Sequence, residues 1–228
     1  MDFMSDKNFR QLAEIIPAVS HETFADLCAY ESLLRKWQPH INLIANSTVN
    51  NIWQRHILDS AQLYPLASDA RNWLDLGSGG GFPAIVIACL LKQRNEENSS
   101  VAHIDLVESN GKKTVFLRQV IEALNLPASV HQERIEHILP ALPAPQVITA
   151  RALASLDNLC SYIAPLALKA EGRAPIALLQ KGRLYEQEIA EAKQHWQFDT
   201  EIIPSRIDDD SVILLLRNVR VSANNFAA

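Results

Sequence analysis

The chain is sparing with the residues that mark secreted, membrane-bound or metal-holding proteins. Its 228 residues include three cysteines, Cys28, Cys89 and Cys160, far apart in sequence. An odd, scattered set is neither a disulfide framework nor a zinc-ligand spacing, so no metal site and a reducing cytoplasm are expected. Long apolar runs are absent. The longest, over 83–91, falls well short of the roughly 20 residues a spanning helix needs. The start, Met1-Asp2-Phe3-Met4-Ser5-Asp6, has no basic stretch leading into an apolar core, and no signal peptide is expected. An excess of positive charge is also missing: 21 Lys and Arg against 26 Asp and Glu give a net charge of −5. That argues against a general electrostatic coat on nucleic acid, yet leaves room for a local basic patch, because phosphate contacts need only a few well-placed cations.

What is present is an ordinary globular composition, 48% hydrophobic and 21% charged, with no internal repeat. Glycine is scarce and concentrated. Of seven glycines, four (Gly77, Gly79, Gly80 and Gly81) fall within five residues. Glycine costs stability where it is not needed, so the backbone there must bend sharply or lie close against something.

The pattern changes near residue 70. Before it, Phe24, Leu27, Cys28, Leu33, Leu34 and Trp37 recur at helical spacing. A loop is expected over 42–48 and a second helix over about 50–66. After it, strands are expected over 72–76, 102–107, 129–132, 146–149 and 176–180. Helices are expected from Pro83, over 111–124 and over about 156–170. Two late strands, near 200–204 and 211–219, leave no room for a helix between them and should pair antiparallel. The polar stretch 94–100 reads as a surface loop, and Asp208-Asp209-Asp210 as a solvated turn. Strands alternating with helices imply a mainly parallel sheet covered on both faces. The expected fold is a three-layer, Rossmann-like α/β domain over 67–228 with an antiparallel edge hairpin, preceded by a helical cap over 1–66.

The candidate site is Asp75-Leu76-Gly77-Ser78-Gly79-Gly80-Gly81-Phe82-Pro83, which follows a strand and opens a helix. The dinucleotide pattern Gly-x-Gly-x-x-Gly is incomplete here, and a Walker ending of Gly-Lys-Ser/Thr is absent. Glu108 closes the second strand, where a carboxylate can accept two hydrogen bonds from a ribose diol. Glycine loop and acid together describe a nucleoside cofactor. Asp75 before the loop favours S-adenosylmethionine over NAD.

These stretches resemble motif I of class I methyltransferases. More narrowly, the chain resembles the bacterial 16S ribosomal RNA methyltransferase G family, also called glucose-inhibited division protein B. The resemblance runs from about Leu33 to Arg220. It is carried by Trp37 with Asn42-Leu43, by His56-Ile57-Leu58-Asp59-Ser60 and by the glycine loop. Leu106-Val107-Glu108-Ser109, Lys112-Lys113 and Phe116-Leu117 follow, then Arg134-Ile135-Glu136, Arg151-Ala152 and Gln180-Lys181-Gly182. It implies methylation of guanine N7 in the 530 loop of small-subunit rRNA (guanine 527), on the assembled subunit or a late precursor, by a cytoplasmic enzyme taken to be a monomer.

Guanine N7 already carries a free lone pair, so no proton must leave before attack. Positioning the base and excluding water suffice, and no catalytic base is assigned. Attack from cytosine C5 would call for a nucleophilic cysteine, whereas Cys89 and Cys160 read as buried. The amino-methylation motif is replaced by Thr149-Ala150-Arg151-Ala152. Gly77 and Phe82 are expected to shape the methionine end of the cofactor pocket, Gly79 to bind the cofactor as well, Glu108 to hold the ribose, and Ile135 and Glu136 to border adenine. Arg151 is expected to reach the cofactor carboxylate or an rRNA phosphate. Arg134, Lys181, Arg183 and His56 are candidate rRNA contacts; His56 and Asp59 stand three apart on one helix face. A small-molecule methyltransferase, a cofactor-binding scaffold without turnover and an NAD-linked oxidoreductase remain as rival readings, since fold alone does not fix substrate.

Overall fold

The computed structural model describes residues 3–98, 101–170 and 174–222. Helices α1 (Phe3–Ile15) and α2 (His21–Trp37) come first. Ser20 caps α2, its Oγ accepting from the Thr23 N–H at 3.0 Å, which satisfies a donor the helix start leaves free. The seven strands are β1 (Asn72–Leu76), β2 (His103–Val107), β3 (Ala128–His131), β4 (Val147–Arg151), β5 (Ile176–Lys181), β6 (Trp196–Pro204) and β7 (Val212–Val221). They form one sheet in the order β3-β2-β1-β4-β5-β7-β6. The first five are parallel; β7 runs antiparallel between β5 and β6. This is the expected mixed sheet with its antiparallel edge.

The strand order reverses between β1 and β4. In open α/β sheets that is where a crevice opens at the C-terminal strand ends. Gly77, Glu108, Arg151 and Lys181 all stand at those ends.

Helices α4 (Ala84–Asn98) and α5 (Gly111–Leu124) cover one face of the sheet, while α7 (Leu156–Lys169) and α8 (Tyr185–Ala192) cover the other. Residues 84–91 of α4 are buried all round, because α4 lies between the sheet and the N-terminal segment. Leu12, Leu27, Leu34, Ile57 and Leu63 share one core with Ile85, Ile87 and Phe116. The expected cap therefore supplies the outer wall of the main core.

Five expectations change. The single helix over 50–66 is a broken series: a 3-10 segment (Asn46–Asn51), a π-helical turn (Trp53–Leu58), the short α3 (Asp59–Ala61) and a 3-10 turn (Tyr64–Ala67). Asn and Thr side chains compete with the backbone for its hydrogen bonds, and Thr48 Oγ1 donates to the Ala45 carbonyl at 2.8 Å. The expected loop over 42–48 thus already turns helical at Asn46. The expected surface loop over 94–100 is helix as far as Asn98, with 99–100 outside the described residues. Lys92, Gln93, Arg94, Glu96 and Glu97 are good helix formers, and Gln93 bonds Glu97 one turn on. Helix α8 and the short α6 (Ile135–Ile138) were not anticipated. The aspartate turn is more than solvated: Asp208 pairs with Arg55 at 2.5 Å, and Asp210 pairs with Arg183.

Candidate active site

The glycine loop folds against α2 and the residues after it. Gly77, Gly79 and Gly81 all have positive φ. At Gly81 (φ +99°) a Cβ would fall 2.6 Å from Ile85 and 2.8 Å from the Tyr30 hydroxyl, so no other residue fits. At Gly79 (φ +56°) a Cβ would meet nothing closer than the Gly77 carbonyl at 3.8 Å, so the loop's outer side is open to a ligand. Tyr30 donates to the Gly80 carbonyl at 2.6 Å, tying α2 to the loop.

Glu108 is buried, and its carboxylate accepts the Gly79 N–H and the Asn110 N–H, each at 2.8 Å. These bonds hold both oxygens in place and leave each a further lone pair for a diol. Beneath the loop, Asp75 accepts the Thr149 hydroxyl at 2.6 Å. Burial raises its carboxyl to about 7, and its Oδ2 has no partner among the described residues.

Gly77, Gly79, Phe82, Glu108 and Arg151 converge on one open cleft of about 480 Å3, with His56 on its wall. His56 packs on the Phe82 ring, centroids 4.8 Å apart, and shares a hydrogen bond with Thr48 Oγ1 at 2.8 Å. Burial, reinforced by Arg151 and Arg55, lowers its imidazole to about 3, so it is neutral near pH 7. Arg151 stands 6.0 Å from the centroid of the same Phe82 ring, a cation–π placement. The cleft's size, its bare backbone amides and its buried carboxylate fit a nucleoside cofactor with a charged amino-acid tail, as S-adenosylmethionine has.

A second cavity, of about 310 Å3, lies beyond Arg151 and Ala152, which line both. Ala152 takes a left-handed backbone (φ +50°), a conformation that costs a non-glycine residue energy and clusters at functional sites. Asp59 lies on this cavity and is held by Gln62 (2.8 Å) and Gln180 (2.7 Å), with Arg151 at 3.5 Å. The pair expected on one helix face is thus divided by the π-helical turn: His56 serves the first cavity and Asp59 the second.

The remaining candidates are placed differently from expectation. Lys181 is buried rather than free at a rim, its ammonium donating to Glu188 (2.6 Å) and the Ala154 carbonyl (2.8 Å). Ile135 is buried at the start of α6, and Glu136 is exposed and accepts from Tyr162 at 2.9 Å; neither lines the cleft. Arg134 and Arg183 are exposed beside Glu136 and Asp210. Lys181 lines the second cavity together with Arg55 and Arg151. Cys89 and Cys160 are buried, with thiols raised by desolvation and thus inert. Among the described residues no group of His, Cys, Asp and Glu is placed to hold a metal, and no helix is long and apolar enough to cross a membrane.

Sequence reasoning missed the closing of the loop by Tyr30 and the role of Gln180. A tyrosine on an apolar helix face is one available signal, since a buried hydroxyl needs a partner.

Residues 23–208 match the family model described as rRNA small subunit methyltransferase G. A Bartonella henselae protein named ribosomal RNA small subunit methyltransferase G is 53% identical over 220 residues, covering 96% of this chain and 98% of that protein. A Brucella canis protein of the same name is 51% identical over 216 residues, covering 95% and 97%. Among solved structures, the SAH-bound Podospora anserina methyltransferase PaMTH1 superposes with a TM-score of 0.59 at 13% identity, covering 96% of this chain and 98% of that one. That likeness establishes the class I methyltransferase fold. With a family match over most of its length and relatives more than half identical end to end, the chain belongs to the rRNA small subunit methyltransferase G family.

Proposed function

We propose that this chain transfers the methyl group of S-adenosylmethionine to N7 of a guanine in the 530 loop of 16S rRNA, guanine 527, in the small ribosomal subunit or a late precursor. The observation that carries the reading is one cleft combining the open glycine loop, the buried Glu108 carboxylate and the Phe82–Arg151 wall, in a chain whose near full-length relatives are named for small-subunit rRNA methylation.

The bound cofactor supplies an electrophilic methyl group; the chain supplies position. Glu108 holds the ribose, and the Gly77–Gly79 backbone lies against the methionine end. Arg151 faces the cofactor carboxylate or an rRNA phosphate as a charge-assisted donor. Phe82, packed between His56 and Arg151, keeps water from the transfer path. Neutral His56 takes no proton, in keeping with a nucleophile that has none to lose. Ile135 and Glu136 border adenine once the cofactor lies along the sheet edge. Arg134 and Arg183 meet RNA by exchanging their present carboxylate partners for phosphate. In this reading the chain works as a monomer in the cytoplasm.

The test uses small subunits from cells lacking the modification, incubated with the protein and radiolabelled S-adenosylmethionine, with the label mapped to a base. Label on N7 of guanine 527 is expected. No label, with cofactor binding confirmed in parallel, overturns the substrate and leaves the fold and cofactor standing.

A further inference from the structure

The wall shared by the two cavities is a short segment with little of its own to hold it. It runs from Arg151 at the end of β4 to Leu156 at the start of α7. Ala152 is left-handed (φ +50°), and Leu153 and Ala154 make no backbone-to-backbone hydrogen bond among the described residues. A strained conformation persists only where its surroundings over-determine it. The cofactor cleft nevertheless depends on this segment, since Arg151, Ala152 and Leu153 all line it. Leu153 lies directly over the glycine loop: a Cβ on Gly77 would fall 2.5 Å from Leu153 Cδ1.

Two side chains from other elements supply what the segment lacks. Lys181 Nζ, at the end of β5, donates to the Ala154 carbonyl at 2.8 Å. Glu188 Oε2, on α8, accepts the Leu156 N–H at 2.8 Å. The same oxygen accepts from Lys181 at 2.6 Å, so the two grips are joined. Both side chains are withdrawn from water, at 8% and 24% exposure. Stability alone gives little reason to bury them, because a buried ion pair often does no better than apolar side chains of the same volume. What the pair adds is direction, a fixed donor and a fixed acceptor aimed at two backbone groups. Both residues line the second cavity and neither lines the cofactor cleft.

We infer that Lys181 and Glu188 form a clamp that holds the 151–156 segment in its cofactor-binding shape, acting as positioning residues for a cleft they do not line. Arg151 pins the other end of the segment, its Nη2 donating to the Arg55 carbonyl at 2.6 Å. With the clamp undone, Ala152 can relax from its left-handed backbone and Leu153 can leave Gly77, so the cleft loses a wall. The inference rests on the cofactor site and holds whichever base receives the methyl group.

The experiment measures S-adenosylhomocysteine affinity by calorimetry, with unfolding followed by circular dichroism to show that each protein is folded at the temperature used. Lys181→Met/Glu188→Leu replaces the pair with apolar side chains of similar volume and removes both grips. It is expected to bind about 10-fold more weakly than wild type. Lys181→Met/Glu188→Gln is also uncharged but keeps an acceptor for the Leu156 N–H, and a loss of about 3-fold is expected. A pair that served stability alone would shift unfolding and leave the affinity of the folded protein unchanged. Wild-type affinity in the folded Leu variant therefore overturns the clamp, and if that variant does not fold, wild-type affinity in the Gln variant does so. Unchanged cofactor affinity together with a flatter salt dependence of small-subunit binding also overturns it, and makes Lys181 a phosphate contact instead. Wild type that does not bind S-adenosylhomocysteine overturns the cofactor site itself.

Discussion

A single added methyl group tests the glycine loop. Gly81→Ala must both sustain φ +99° and displace Ile85 and the Tyr30 hydroxyl; it should cost more than about 2 kcal/mol. Gly79→Ala meets open space and bears only the backbone penalty, about 1 kcal/mol. Urea unfolding of the two variants checks the order. The cluster itself was legible, because glycines bunched after a strand announce a turn. Which glycine is indispensable was not, since that depends on Ile85 and Tyr30 folding against it. His56 makes a second prediction. Its folded pKa, about 3, lies below the ordinary 6.5, so the unfolded chain binds the extra proton. The stability this neutral ring contributes is present above about pH 6.5 and is lost as pH falls toward 3. Wild type should therefore lose more stability than His56→Gln between pH 7 and pH 5, and the His56 resonances should not titrate between pH 5 and 8 by NMR.

Elements were read best where one local rule governs them. The bounds of α5 agree with expectation because Asn110 caps one end, accepting from the Lys112 and Lys113 N–H groups, and left-handed Asn125 ends the other. The residues over 50–66 were misread because a π-helical turn has no residue signature of its own, and its insertion divides His56 from Asp59. Contacts between elements were the least legible. Gln180 and Asp59 lie 121 positions apart, and no periodicity announces their bond. The edge strand β6 shows an opposite economy: a register shift between Gln197 and Asp199, Glu201 along its length and Pro204 at its end discourage pairing with another chain. For the α2–loop junction, Tyr30→Phe leaves the Gly80 carbonyl without its 2.6 Å donor. A loss of about 1–2 kcal/mol is expected by thermal or urea unfolding, with weaker S-adenosylhomocysteine binding by calorimetry as the loop loosens.

For the whole molecule, a helical cap and a cofactor domain are a division of sequence and not of core. Ile85 and Ile87 are fully buried beneath Leu27, Ile57 and Leu63. A chain restricted to residues 67–228 would open that apolar face to water, and it should fail to give a cooperative unfolding transition or remain soluble at concentrations where the full chain does both. The mainly parallel sheet with its antiparallel edge was within reach of the strand–helix alternation, whereas the burial of α4 on every side was hidden, since an all-round apolar helix start reads the same under any cover. Arg151 and Ala152 form the common wall of the two cavities, which makes their occupants thermodynamic neighbours. Any factor by which a ligand in the second cavity tightens the hold on S-adenosylmethionine must equal the factor by which S-adenosylmethionine tightens the hold on that ligand. Exchange of the methylated cofactor for its product shifts what binds across that wall by the ratio of their two coupling factors and by nothing else.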